Sequence, residues 1–358
     1  MVGKESSMVG GVGGGNMRIQ EIADKVGVSR TTVYNVIHGR TKKISTETIQ
    51  KISDLLTEAG YTPSAPTEST PRVFAEKASK IIGLVEGYGT AHGIPALRDP
   101  YVGEILSCIV EYAQQVGYYV MLIGGKDIGH AAEIASRWNI DGLIVWGYAD
   151  DRFRALCRQV NKYTITIDAY LETESHCVNV GLDDYAGGEL IAGHMLKCGH
   201  PNALFTAETD ADCDHQRWLG FQHGMESKGI RCDESRHIVL SSVANIRQKE
   251  YAQYLPRFLE AGAVSFAADY TAFEAINYMK DHGISVPEQV SVTGFDDNIY
   301  AEFSRPQLTT IRQNTMKKAQ MAVDLLVKQI KQEPVEFDNK CPVELICLSS
   351  VKKIQAVR

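Results

Sequence analysis

Between Ile19 and Ile37 the apolar residues fall three and four apart, at Ile19, Ile22, Ala23 and Val26, stop at Gly27, and resume at Val33, Val36 and Ile37. This spacing predicts two short helices joined by a tight glycine turn. Ser29 stands where an N-cap is needed, because its side-chain oxygen can accept a backbone N–H from the first turn of the second helix. Gly39 stops that helix. After the basic stretch RTKKIS a third amphipathic helix is expected from about Thr46 to Ala59, with Ile49, Ile52, Leu55 and Leu56 on one face and Gly60 at its end.

The pattern changes on both sides of this three-helix unit, residues 17–62. Six of the first 16 residues are glycine and no apolar periodicity precedes Met17, so residues 1–16 cannot build a core. Two readings fit them: a disordered tail, or a stretch upstream of a true start at Met17. Residues 63–79 hold three prolines and many Ser/Thr and read as an extended linker or hinge. Beyond them, short β-rich runs alternate with helical stretches. The first series is KIIGLVE, YYVMLIG, DGLIVWG and YTITIDA, with helices near 101–117, 130–138 and 150–160. The second is NALFTA, RHIVL, AVSFAA and VSVTGFD. Strands alternating with helices predict parallel sheets with helices on both faces. Two series predict two α/β lobes with a cleft between them, the first of about residues 80–178 plus 310–340, the second of about 179–309 plus the C-terminal residues.

A chain of 358 residues with 44% hydrophobic side chains is long enough for such a division and apolar enough to bury its cores. It has no run of 18 apolar residues and no apolar signal segment at its start, so no membrane is expected and the protein is expected in the cytoplasm. Eight scattered cysteines with no C-x-x-C pair suit reduced thiols. A net charge of −7 would argue against nucleic acid if it were spread evenly, but residues 17–62 hold seven Lys/Arg against five acids, and the acidic excess lies in the remainder.

Small Ala23, the Gly27 turn and the valines 26, 28, 33 and 36 make a specific helix-turn-helix pattern. Its second helix offers Arg30, Thr31, Thr32, Tyr34 and Asn35 where such helices meet base edges in the major groove, with Ser29 and His38 bracketing them. Arg can pair bidentately with guanine and Asn with adenine. Arg40, Lys42 and Lys43 suit phosphates, which add affinity and salt dependence without sequence information.

With IADKVGVS, TTVYNVIHG and the closing AGYTP, residues 18–63 resemble the headpiece of the lactose/galactose-repressor (LacI/GalR) family of bacterial regulators. The motifs IIGLV, DPYVGEILSCI, DGLIV, VGLDDYAGGELIAGHMLKCGH, RWLGF, VPEQVSVTGFDD and RPQLTTIRQN resemble that family's periplasmic-binding-protein-like body over residues 80–358. The resemblance implies a helical DNA-binding headpiece on a two-lobed α/β body that binds effector and dimerises. There are departures. Tyr34 and Asn35 stand where many relatives have Ser-Arg, so operator bases cannot be carried over. The linker is longer than usual and proline-rich. In the family a hinge helix inserts a leucine into the minor groove, and counting back from IIGLV puts Phe74 at that place. It is either such a wedge or an exposed Phe in a tether.

Ligand in a two-lobed body belongs outside the carboxyl ends of the strands. Residues just after first-lobe strands, Tyr88, Asp99, Tyr101, Trp146 and Asp168, are therefore candidates, the aromatics for the apolar faces of sugars or bases. The resemblance adds Arg217, at the start of RWLGF, for a ligand hydroxyl or carboxylate, and Asp296, after VSVTGF, as acceptor of ligand hydroxyls. Asp269 follows VSFAA, but Ala268 precedes it where sugar-binding relatives often have Asn. The insertion GYGTAHGIPALR carries His92 near the same cleft.

Enzyme motifs fail on inspection. GYGTAHG lacks the third spacing of a dinucleotide fingerprint, GGKD lacks the P-loop's spacing and Ser/Thr, and no G-x-S-x-G or H-E-x-x-H occurs. Asp210, Asp212, Cys213, Asp214 and His215 mix hard and soft donors in one loop and suit no preferred metal set. No catalytic residue, cofactor or metal is expected. The expected protein is a DNA-binding regulator, most simply a repressor. Its partners are a near-palindromic double-stranded operator, a second copy of itself, with a tetramer left open, and a small-molecule effector, most simply a sugar. A transport solute-binding protein shares the body but has no use for residues 17–62.

Overall fold

In the computed structural model the described residues are 19–37, 41, 44–58, 79–86, 90–91, 94–124, 128–146, 163–170 and 178–354. The glycine-rich start, the linker and the helix expected near 150–160 lie outside them.

The N-terminal unit is three helices, Ile19–Val26, Arg30–Ile37 and Thr46–Glu58. Ile22, Ala23, Val33, Val36, Ile49, Ile52 and Leu56 form one buried core, so each helix contributes the stripe its spacing predicts. Gly27 has φ +76°, a left-handed backbone that any Cβ disfavours, and it lets the chain reverse between the first two helices. The Thr32 amide donates to Ser29 Oγ at 3.1 Å, as expected of an N-cap. Ser45 caps the third helix in the same way, accepting from the Thr48 amide at 3.2 Å.

The α/β body, which begins at Lys80, is a separate unit. Its larger sheet is six-stranded and parallel, in the order Asp338–Cys341, Val178–Leu182, Tyr163–Ile167, Gly142–Trp146, Ile81–Glu86, Tyr119–Gly124. Near-continuous apolar runs such as Gly142–Trp146, buried at every position, suit strands covered on both faces. The smaller sheet is also parallel, in the order Ser291–Thr293, Ala263–Phe266, Leu204–Ala207, His237–Val239. These four are the strands of the second series.

Two expectations need correction. Strand Val178–Leu182 belongs to the larger sheet, so the first lobe runs past residue 178, and the chain crosses to the second lobe just before helix Asp184–Lys197. Thr310–Gln313 joins neither sheet. It pairs antiparallel with Val343–Ile346 in a two-stranded ribbon, and only then does the chain enter helix Thr315–Ile330, whose Ala319, Ala322, Val323 and Leu326 pack in the core of the larger sheet. The C-terminal segment returns to the second lobe, where the Val292 amide donates to the Ser350 carbonyl.

Candidate functional site: a recognition helix and an interlobe polar ring

Helix Arg30–Ile37 buries Val33 and Val36 and turns Arg30, Thr31 and Tyr34 to solvent, with Asn35 half-buried beside them. Tyr34 is 48% exposed, a large aromatic surface with no place in the core. The Ser29 and Thr32 hydroxyls share a hydrogen bond of 2.8 Å, so both are committed to the helix start. His38, Arg40, Lys42, Lys43 and Phe74 lie outside the described residues.

In the body, side chains from both lobes and from the crossing segments close into one polar ring. Tyr101, in the first turn of helix Pro100–Gln115, donates its hydroxyl to Asp168 Oδ2 at 2.7 Å. Lys318, in helix Thr315–Ile330, donates to Asp168 Oδ1 and Oδ2 at 2.8 and 3.0 Å, to the Tyr101 hydroxyl at 3.0 Å and to Gln313 Oε1 at 3.0 Å. Gln313 Nε2 donates to Asp296 Oδ1 at 2.6 Å, which lies 3.9 Å from Arg217 Nη1. Arg217 Nε donates to Asp184 Oδ1 at 2.7 Å, Nη1 donates to the Ala267 carbonyl at 2.6 Å, and the guanidinium lies 3.7 Å from the Phe295 ring centre. The Tyr170 hydroxyl donates to the other Asp184 oxygen, and Tyr170 follows Asp168 by two residues, which completes the ring.

Local sequence explains why these groups meet. Helices Asp184–Lys197 and Asp212–Glu226 cross at glycines: a Cβ on Gly188 would run into the Arg217 carbonyl, and one on Gly220 into the Tyr185 carbonyl. That approach, possible only without side chains, sets Arg217 against Asp184. Asp168 and Asp296 have φ of +53° and +122°, so both acids leave their strand ends through a left-handed backbone, as Asp tolerates better than bulkier residues. Burial raises the Asp184 carboxyl above its usual range while Arg217 opposes the shift. Burial, followed by the charge of Asp168, pushes the Tyr101 phenol well up.

Tyr101, Asp168, Arg217 and Asp296 are thus brought together. Three other candidates are not. Asp99 is the N-cap of helix Pro100–Gln115, its Oδ1 accepting from the Val102 amide at 3.2 Å, with Pro100 pre-set at the first helical position. Trp146 is 6% exposed and packs in the core with Ile144 and Ile167. Asp269, fully buried, accepts from the Thr310 hydroxyl at 2.6 Å and from the Asn298 amide at 3.1 Å, so it fastens the 294–298 loop; burial and then the charge of Asp296 hold its pKa well above the usual carboxylate range. Tyr88 and His92 lie outside the described residues. Sequence reasoning missed Lys318, Asp184, Tyr170 and Gln313. The available signal for Lys318 was its place on the apolar stripe of its helix, four residues before Ala322.

Among the described residues no His/Cys/Asp/Glu group is arranged to hold a metal ion. In the acidic loop Asp214 accepts the Glu208 and Thr209 amides, and His215 pairs with Asp210 at 2.8 Å. No helix among the described residues is long and apolar enough to cross a membrane.

Comparison with known proteins agrees with this geometry. Residues 18–64 match the family described as bacterial regulatory proteins, lacI family, and residues 192–350 match a periplasmic binding protein-like domain. The HTH-type transcriptional regulator DegA of Bacillus subtilis is 30% identical over 305 residues, spanning 82% of this chain and 86% of DegA. Two solved structures, a transcriptional regulator CelR–cellobiose complex and a Lac repressor dimer bound to operator and the anti-inducer ONPF, each superpose on 94% of this chain and all of their own, with TM-scores of 0.69 and 20% identity, a likeness of fold. A helix-turn-helix with an outward recognition face, joined to a two-lobed α/β body, is the architecture these relatives have in common, and the chain belongs to the LacI family of DNA-binding transcriptional regulators.

Proposed function

We propose that the protein is a repressor of transcription, acting in the cytoplasm as a homodimer on a near-palindromic operator, whose DNA affinity is set by a sugar or sugar derivative bound between the two lobes. The observation that carries this reading is the ring of Tyr101, Asp168, Lys318, Gln313, Asp296, Arg217 and Asp184, which places polar groups of both lobes and of a crossing strand at one site. A ligand that contacts both walls favours one lobe arrangement over another by its difference in affinity for the two. The cellobiose in the CelR complex supports a carbohydrate as the class. Arg30, Thr31, Tyr34 and Asn35 read the bases, and two headpieces acting together supply the length of sequence that one cannot read. The test is a fluorescence-anisotropy titration of the protein's own upstream DNA in the presence of a sugar panel. At least one sugar is expected to shift the midpoint about fivefold or more, the lower end of ordinary allosteric coupling. An unchanged midpoint across the panel contradicts the proposal.

A further inference from the structure

Helix Asp184–Lys197 ends in a side-chain cluster that the polar ring does not use. His194, in its last turn, has a thiol at each ring nitrogen: Cys198 Sγ lies 3.7 Å from Nε2 and Cys347 Sγ lies 3.5 Å from Nδ1. Cys198 is buried and ends the helix, its carbonyl accepting the Ile354 amide at 2.9 Å. Cys347 is exposed and directly follows strand Val343–Ile346. The two sulfurs meet different nitrogens of one imidazole, so the ring stands between them. That arrangement suits neither a disulfide between the two nor one metal ion held by all three.

It does suit an activated nucleophile, which needs a thiol, a base within reach of its proton and a third group that orients the base. Burial, then the charges of Lys197, His200 and Lys353, lower the His194 pKa below its usual 6.5, so the ring is neutral at pH 7.5. A neutral imidazole has one N–H and one lone pair. Burial raises the Cys198 pKa and keeps that thiol protonated, against the charge of Lys353. With Nε2–H turned to Cys198, the Nδ1 lone pair faces Cys347, the thiol that can ionise in contact with water.

Beside this cluster runs a groove of about 940 Å³, within the size range of small-molecule sites. Gly193 leaves its floor bare, since nothing lies within 4 Å of the Cβ position there. Lys197, Lys228 and Lys353 line it, and none of the three pairs with an acid among the described residues. The two acids that line it are committed: Asp183 Oδ1 accepts the Ala186 amide at 3.1 Å, and Glu189 Oε1 pairs with His223 at 2.5 Å. A groove of this charge attracts anions.

We propose that Cys347 is a site of covalent modification by the disulfide of an anionic low-molecular-weight thiol, with His194 as the base and the lysine-lined groove as the seat of the incoming anion. The Cys347 proton passes to His194 Nδ1, and the sulfur attacks one sulfur of the disulfide. The S–S bond breaks with its electron pair on the departing thiolate, which takes the proton from His194. The products are a mixed disulfide on Cys347 and one free small thiol, so Cys347 is oxidised as half of the reagent is reduced. Strand Val343–Ile346 pairs with Thr310–Gln313, so the adduct sits at the end of the ribbon that carries Gln313 into the ring.

The experiment exposes the full-length protein at pH 7.5 to glutathione disulfide, which is anionic, to 2-hydroxyethyl disulfide, which is neutral, and to cystamine, which is cationic. Mass spectrometry follows the adduct on each cysteine peptide, and every rate is divided by that of the same reagent with an uncharged free thiol, N-acetylcysteine amide. At Cys347 the anionic reagent is expected to be favoured over the cationic one by about tenfold or more, with the neutral one between, and the preference is expected to shrink at about 1 M salt. His194→Gln is expected to slow the Cys347 adduct about tenfold, because a free thiol is only a few per cent thiolate near neutral pH, and to leave the other cysteine peptides unchanged. An anion-to-cation ratio near one or below overturns the proposal, as does an undiminished Cys347 rate in a folded His194→Gln. If that variant unfolds, which faster adducts on the fully buried Cys232 and Cys341 would reveal, the reagent comparison on wild-type protein decides.

Discussion

Two charged residues sit on apolar stripes, and they were not equally legible. Arg217 stands out because it opens a recognisable run, RWLGF, and the structure buries it against Asp184. Lys318 shares its apolar stripe with Ala322 but neighbours Lys317 in the sequence, and it is wholly buried with its partner Asp168, 150 residues earlier, following a strand. A local pattern has no access to that distance. The same holds for Asp99 and Asp269, which the sequence offers as cleft acids and the fold uses as fasteners. Short polar side chains beside helix starts serve either end, and only the neighbouring amides decide which. Burial has a second residue-scale consequence at His200, whose Nε2 lies 2.8 Å from the Lys352 carbonyl and 3.0 Å from Ser291 Oγ. Burial lowers its pKa below the usual 6.5, against the hydrogen bond to Lys352. As pH falls through 6.5 the unfolded chain therefore takes up the proton first, and the fold loses stability from there down to the depressed value. Urea unfolding at pH 7.5 and 5.5 is expected to show a smaller acid loss in His200→Gln than in wild type. Equal losses contradict the assignment.

The elements that sequence alone could place are those with a strong period. The headpiece helices and the eight apolar strand runs lie within a few residues of expectation, because each buries a face or both faces along its whole length. Among the described residues six strands were not foreseen, the two-residue pair Thr90–Ala91 and Ile94–Pro95 and the ribbon strand Thr310–Gln313 among them. Asp338–Cys341 is short and largely polar, Val343–Ile346 is only four residues long, and Val178–Leu182 runs into the helix that follows it, so their strand character comes from distant pairing partners. The crossing of helices Asp184–Lys197 and Asp212–Glu226 was written in the sequence as glycines whose purpose only the packed structure reveals. Gly220→Ala is expected to force the two helices apart, to destabilise by about 2 kcal/mol or more, and to abolish effector binding by moving Arg217 from Asp184. Gly193→Ala is the matched control: nothing lies within 4 Å of its Cβ position, and helix propensity alone favours alanine by about 1 kcal/mol. Urea midpoints moving in the same direction for both variants would contradict this account of the crossing.

At the scale of the whole molecule, a small unit with basic excess carries the exposed helix face proposed to read bases, and a larger acidic body carries the ring. The headpiece helices bury only a small core, and the polar ring lies wholly in the body. What joins them is a linker whose sequence was legible as extended and whose conformation was not, since prolines exclude a helix interior without selecting what replaces it. The claim that the two units make one ligand-controlled DNA reader is tested most directly by titrating the full-length protein at about 0.15 M salt against two duplexes of equal length, one from its own upstream region and one with that sequence scrambled, each with and without the tightest-binding sugar. The account predicts a preference of about a thousandfold or more for the first duplex, altered by the sugar while affinity for the scrambled duplex stays constant. Equal affinity for both duplexes, with the sugar and without it, would contradict it.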